Sequence, residues 1–402
     1  MLIGIFSDTH LGFTGEDRYE ESFARFKESI KMFRAKKVSY ILHAGDLFDD
    51  AVPEQEVWLK TFECFAKNSS ESHTSITKHT ISGDEVVSVK GIPIIAIHGT
   101  HEYRGKDFSN AISVLEKANC LVHLHAGYVD LSDGEEKVFV HGLGGVPEKN
   151  AKAVLEKYDP KPIEGGTNML LLHQSFKEFL PFDEDDMIAS LSLSDLPNGF
   201  DLIIDGHLHW MNEQNADGKR FILTGSTIFT QMKNLESQMQ KGVFFFDTQT
   251  KKLEFAPFAN QRKLFYNKFE FKNARPEEVM ETVNAKIAQI VGQEFAMKPL
   301  VRLKIGGTLA KGFTQSDISF SIPADKAVFS VSKDFSTEAF QKKIESLKDA
   351  QTMKRSVIDM GLDILEKNVA EAKIDKFDSR RMFDLLSIGE NEKAEEVLIS
   401  KN

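Results

Sequence analysis

The chain has little sulfur chemistry to offer: two cysteines, Cys64 and Cys120, in 402 residues. Both fall where the pattern reads as helix or helix end, so they are expected as buried or half-buried thiols in a reducing cytoplasm. No apolar run approaches the length of a membrane span, which excludes a spanning helix as an expectation. The opening "MLIGIFSDTH" lacks a basic lead-in and turns polar at Ser7 and Asp8. It reads as a first β-strand rather than a signal peptide. Internal repeats and strong low-complexity tracts are missing as well. So is an excess of positive charge. The net charge of −11, taken alone, argues against a nucleic-acid partner, although a binding face can be locally basic. From Phe258 to Phe313 ten Lys or Arg stand against five Glu, a local net of +5.

What remains is ordinary soluble material, 41% hydrophobic and 28% charged. The length predicts two or three domains. Up to residue 257, short apolar runs alternate with helical patterns, an α/β signature. Strands are expected at 2–7, 39–43, 92–98, 137–142, 168–173, 201–205, 220–224 and 242–247. Phe23, Phe26, Ile30 and Phe33 recur at helical spacing and form a core stripe. Helices are expected at 53–67, opened by Pro53, and at 107–118. The polar, turn-rich stretch 68–86 between them reads as a surface insertion, with His73 and His79 solvated. A strand–helix–strand piece spans 258–335, and a charged helical pattern fills 336–402. Short amphipathic helices at a chain end often dock a partner.

The polar residues at strand ends form a set. The first strand delivers Asp8 and His10, the second Asp46 and Asp49, and the third "GTHE" with His101. Later strands deliver His173, then His207 and His209. Chain ends of neighbouring strands share one edge of an α/β sheet, so these residues converge although 200 positions separate them. Each alone is weak, since a lone histidine after a strand is more often a hydrogen-bonded structural residue. Together, D-x-H and H-x-H spacings put oxygen and imidazole donors on the same side of an extended segment. More than four mixed O/N donors exceed a structural zinc site and fit two divalent ions such as manganese, iron or zinc. Two ions roughly 3.5–4 Å apart suit phosphoester cleavage. Asp46, in a Gly-Asp turn, is the natural bridge.

In this order D-x-H, G-D-x-x-D, G-x-H-E, a lone His and G-H-x-H resemble the calcineurin-like metallophosphoesterase superfamily. "GDLFDDAVPE" (45–54), "DLIIDGHLH" (201–209), "TGSTIFTQ" (224–231) and "KGVFFFD" (241–247) are similar to its Mre-eleven/SbcD branch of DNA double-strand-break repair nucleases. The motifs cover residues 1 to about 250; beyond them the likeness is one of layout.

That resemblance implies a four-layer metallophosphoesterase sandwich, two mixed sheets flanked by helices, over 1–257. A small α+β DNA-capping domain (258–335) and a C-terminal helical tail (336–402) follow. Asp8, His10, Asp46 and His209 would hold one metal, and Asp46, Thr100, His173 and His207 the other, the implied ions being Mn2+. His101 would work on the scissile phosphate, with Asp49 beside it where other members carry histidine. The implied activity is a manganese-dependent 3′-5′ exonuclease and single-strand or hairpin endonuclease, cytoplasmic or nucleoid-associated. The implied partners are DNA, a Rad-fifty/SbcC-type SMC-like ATPase bound by the tail, and a second copy joined through helices 53–67 and 107–118. One departure concerns the ligands: position 100 is asparagine in the usual motif and threonine here. An amide oxygen reaches further and binds better than a neutral hydroxyl, so Thr100 is a weak ligand or holds a water. A small-molecule phosphodiesterase on the same fold and a catalytically weak DNA-binding scaffold are the competing readings. The basic segment and docking-type tail weigh against the first, and the otherwise complete ligand set against the second.

Overall fold

The computed structural model describes residues 1–336 apart from 16–17, 69–72, 106–107, 133, 135, 181–190 and 217. Beyond 336 it describes only 362, 366, 380–382 and 385. The expected helical tail therefore lies outside the described residues. Two compact units divide the chain. The first is Met1–Tyr266 with Glu294–Arg302 and Pro323–Ser330; the second takes in Asn267–Gln293, Leu303–Ile322 and the chain from Val331.

Two mixed sheets build the first unit. One has six strands in the order β14 (Leu253–Pro257), β13 (Gly242–Asp247), β1 (Leu2–Phe6), β2 (Tyr40–Ala44), β5 (Ile94–Ile97) and β6 (Val122–His123). Strands β1, β2, β5 and β6 run parallel, and β13 and β14 join antiparallel. The other has eight: β11 (Asn212–Ala216), β12 (Lys219–Leu223), β10 (Leu202–Asp205), β9 (Thr167–Leu172), β8 (Val138–Gly142), β7 (Gly127–Asp130), β3 (His73–Thr80) and β4 (Gly83–Lys90). Its centre, β8–β9–β10–β12, is parallel.

Side-chain alternation fixes the layers. In β13, Phe244 and Phe246 enter the core between the sheets, while Val243 and Phe245 face the helical side. In β9, Met169 and Leu171 enter that inner core and Leu170 and Leu172 an outer one. Strands buried on both faces read as continuous apolar runs, which is why "LIGIF", "VFFF" and "MLLL" were conspicuous. Helix α1 (Tyr19–Ala35) buries Phe23, Phe26, Ile30 and Phe33, and α2 (Gln55–Asn68) and α3 (Ala111–Lys117) add Val57, Phe65, Ile112 and Leu115 to the same layer. On the other side α4 (Glu148–Tyr158) buries Ala151 and Leu155. The expected helix–sheet–sheet–helix sandwich is present.

The stretch 68–86 departs from expectation. Instead of a loose insertion it forms most of the β3–β4 hairpin, which pairs through β3 with β7 and so widens the second sheet. Ile76, Val87 and Val89 supply its inner face. The opposite face is His73, Ser75, Thr77 and His79 on β3 and Asp84, Val86, Ser88 and Lys90 on β4, so apolar content never rose high enough to signal a strand. His79 is not simply solvated: it stacks on Tyr128 with ring centroids 4.5 Å apart and lies 2.8 Å from Asp84.

Most of β15 (Leu264–Ala274), β16 (Leu300–Leu309) and β17 (Val328–Ser336), a three-stranded sheet, falls in the second unit with α6 (Pro276–Val291). Val279, Val283, Ile287 and Ile290 are the buried stripe of α6. A short α5 (Asn234–Ser237) belongs to the first unit.

Candidate metal centre

Every expected site residue follows the C-terminal end of a parallel strand: β1, β2 and β5 in one sheet, β9 and β10 in the other. The chain turns sharply there. Asp8, His10, Asp46 and His207 sit in the left-handed region, at φ of 48°, 45°, 52° and 72°. Such a conformation costs an L residue on the order of 1–3 kcal/mol and persists only where neighbours enforce it. The loops enforce it on each other: Asp8 N–H donates to Gly45 O at 2.9 Å and His10 N–H to Asp46 O at 3.1 Å. Glycine is obligatory at 99, where a Cβ would lie 2.0 Å from Asp46 Oδ1.

Asp8, His10 and His209 form one group of converging donors, all buried. His10 donates from Nδ1 to Asp49 Oδ1 at 3.0 Å, which turns its Nε2 inward to within 3.2 Å of His209 Nε2. His209 Nε2 is 3.7 Å from Asp8 Oδ1, and its Nδ1 hydrogen-bonds Thr230 Oγ1. Asp46, His173 and His207 form the second group. His173 Nδ1 donates to Ala44 O at 2.7 Å, which turns Nε2 toward Asp46 Oδ2 at 3.1 Å. The two groups share an edge, because the Asp8 carboxylate accepts the His207 N–H at 3.1 and 3.2 Å. Thr100 Oγ1 stands 3.4 Å from His207 Nδ1, beside the second group.

His101 sits at the margin, with 43% of its side chain exposed. Its N–H donates to Asp46 Oδ1 at 2.9 Å, and its Nδ1 bonds the Asp49 carbonyl. Nε2 lies 4.0 Å from Asp46 Oδ2. The Asp49 carboxylate bonds His10 and lies 3.9 Å from His101 Nδ1, so His10, Asp49 and His101 make a further group of converging donors at the margin.

The electrostatics suit cations. Burial raises the Asp8 carboxyl to about 6, with Asp46 adding to it. Burial also works against charge on His173, but the facing Asp46 carboxylate reverses this and lifts the imidazole to about 10. Burial depresses His207 to about 3 and takes His209 well below its ordinary value, keeping both rings neutral with a lone pair to offer. A proton on His173 and a divalent ion between His173 and Asp46 answer the same buried negative charge. Oxygen and imidazole donors, fixed from behind by Asp49, Ala44 and Thr230, fit divalent metal ions.

The calcineurin-like phosphoesterase family model matches residues 1–211. The chain belongs to that family. Within it, the similarity is to the Mre11 branch that the motifs implied. The DNA double-strand break repair protein Mre11 of Thermoplasma acidophilum is 24% identical over 344 residues, 81% of this chain and 81% of that protein. Its namesake in Sulfolobus acidocaldarius is 25% identical over 310 residues, 75% of this chain and 74% of that one. The double-strand break repair protein MRE11 of Encephalitozoon cuniculi is 26% identical over 253 residues, 58% of this chain and 43% of that protein.

Three supports of this phosphoesterase site are given no role by the sequence, although Glu102 closes the G-x-H-E motif. Glu102 accepts the Phe48 N–H at 2.7 Å and the Gly99 N–H at 2.6 Å, tying the loops after β2 and β5. Lys241, fully buried, donates to His209 O at 2.6 Å, Ser226 Oγ at 2.7 Å and Glu236 Oε1 at 2.8 Å. Glu148 Oε1 lies 3.5 Å from His207 Nε2. Lys241 falls in a stretch whose likeness to the branch was visible, but its role depends on tertiary partners.

Proposed function

We propose that this chain is a manganese-dependent DNA nuclease of double-strand-break repair, cutting phosphodiester bonds from 3′ ends and at single-stranded or hairpin sites. The observation that carries the reading is the meeting of two three-donor groups with His101 at their open edge. The similarity to Mre11 proteins along most of the chain supplies the substrate class. In this reading Asp8, His10, Asp46 and His209 hold one ion, and Asp46, Thr100, His173 and His207 the other. Bound there, the ions supply Lewis-acid charge to the phosphate and make a water nucleophilic near neutral pH. Asp49 holds the His10 ring by Nδ1 so that Nε2 faces inward. The Asp49 carbonyl holds His101 in the same way, leaving Nε2 to stabilise or protonate the departing oxygen.

Residues 258–335 cap the DNA and 336–402 dock the ATPase in this proposal, with action on DNA in the cytoplasm or nucleoid. No helix among the described residues is long and apolar enough to cross a membrane. Pairing of two copies through α2 and α3 is supported by Leu59, 64% exposed, and by exposed Phe62 and Val114.

Cleavage of end-labelled duplex, hairpin and single-stranded DNA with Mn2+, with and without chelator, tests the reading. Asp46→Ala and His101→Ala should each lose at least ~100-fold in rate, the lower bound for a general acid. Undiminished cleavage in either would sink the mechanism. Turnover of a small phosphodiester with no cleavage of DNA would sink the substrate assignment.

A further inference from the structure

Glu148 reaches the second donor group without belonging to it. It opens α4 directly after Pro147. Its Oε1 stands 3.5 Å from His207 Nε2 and accepts the Ser175 N–H at 3.3 Å; its Oε2 is buried with no hydrogen-bond partner. One side chain thus touches the loop that carries His207 and the loop that carries His173, two residues before Ser175.

A neutral imidazole has one N–H and one lone pair, and whatever engages one ring nitrogen decides what the other presents. At His207 the acid lies beside Nε2, while Nδ1 faces Thr100 Oγ1 at 3.4 Å. A carboxylate oxygen can only accept, so the proton belongs on Nε2 and the lone pair on Nδ1. The His207 backbone is already held by Asp8, leaving the ring's rotation and tautomer as the free variables.

We propose that Glu148 is the positioning residue of the second metal site: it accepts the Nε2–H of His207 and thereby aims the Nδ1 lone pair at the ion shared with Asp46, Thr100 and His173. The same arrangement, a carboxylate behind a ligating histidine, fixes ring orientation and raises ligand basicity in metal sites generally. It matters more here than in a site with a strong donor at position 100, because a hydroxyl contributes little and His207 must make up the difference. The inference rests on the two-metal reading proposed above.

The test is Mn2+ binding by the full chain, followed by calorimetry and by the electron paramagnetic resonance of a spin-coupled manganese pair. Wild type takes up two ions. Glu148→Ala should weaken the second ion roughly 10–100-fold, leave the first unchanged and replace the coupled signal by that of isolated Mn2+. Glu148→Gln keeps an oxygen acceptor and should recover most of the loss. In a His207→Ala background, adding Glu148→Ala should cost nothing further. Unchanged binding in Glu148→Ala overturns the proposal while the two-metal reading stands. An additive loss in the double variant also overturns it, by showing that Glu148 touches the ion itself. A wild type that takes up no pair overturns the two-metal reading and this inference together.

Discussion

Glu102 is buried, yet it accepts two backbone N–H groups, from Phe48 and Gly99. Burial first, then the neighbouring Asp46, push its carboxyl up to about 7 against the pull of those amides. Removing the side chain strands two buried donors at about 1–3 kcal/mol each. Glu102→Ala should therefore lose roughly 2–6 kcal/mol in denaturant unfolding, while Glu102→Gln, which keeps one acceptor, loses less. A loss below about 0.5 kcal/mol, the scale of an ordinary surface change, would show that water replaces the clamp. Thr100 allows the opposite experiment. Thr100→Asn should tighten the second Mn2+ without affecting the first; equal affinities would show that the hydroxyl serves as well as an amide. At this scale the sequence was readable where chemistry is written as local spacing. Asp8 with His10 and His207 with His209 stood out because D-x-H and H-x-H follow apolar runs. Glu148 did not, because its partner lies 59 positions away and its neighbours look like any polar helix start.

Elements were legible in proportion to their burial. All eight strands expected from apolar runs are present, because a strand covered on both faces cannot hide its composition. Strands with one wet face were missed: β3 and β4 show only Ile76, Val87 and Val89 to the core. β11, "NEQNA", has a single apolar residue and exists through pairing with β12. The helix α2 is anticipated within a few residues, and its outer face is the one proposed above to join two copies. If that face joins two copies, Leu59→Glu should convert a dimer to a monomer in sedimentation velocity at micromolar concentration. A wild-type monomer, or an unaltered dimer in the variant, would move the interface elsewhere.

In the first unit, His43, His123 and His141, outside the donor groups, are held neutral by burial. Burial lowers His43 and His123 to about 3 and His141 to about 4. In the unfolded chain each titrates near 6.5. Between about pH 6.5 and 4 the unfolded state binds protons that these three rings refuse in the fold, so their contribution to stability falls as pH falls, against Asp8 and Glu102, whose raised carboxyls take up protons in the fold. His141→Gln should remove one proton from this uptake, read as a shallower acid limb in stability against pH; an unchanged limb would mean that His141 is already protonated in the fold. A bound divalent ion would act in the other direction. An ion that binds only the folded chain adds about 2.7 kcal/mol at a hundred times its Kd, so chelation should lower the melting temperature.

We propose that strand ends of the two sheets build one dinuclear centre around Asp46. Anomalous diffraction from crystals grown with Mn2+ measures this directly. Two peaks are predicted, one among Asp8, His10 and His209 and one among His173, His207 and Thr100, each within coordination distance of the Asp46 carboxylate. A single peak, or two that do not share Asp46, would contradict it.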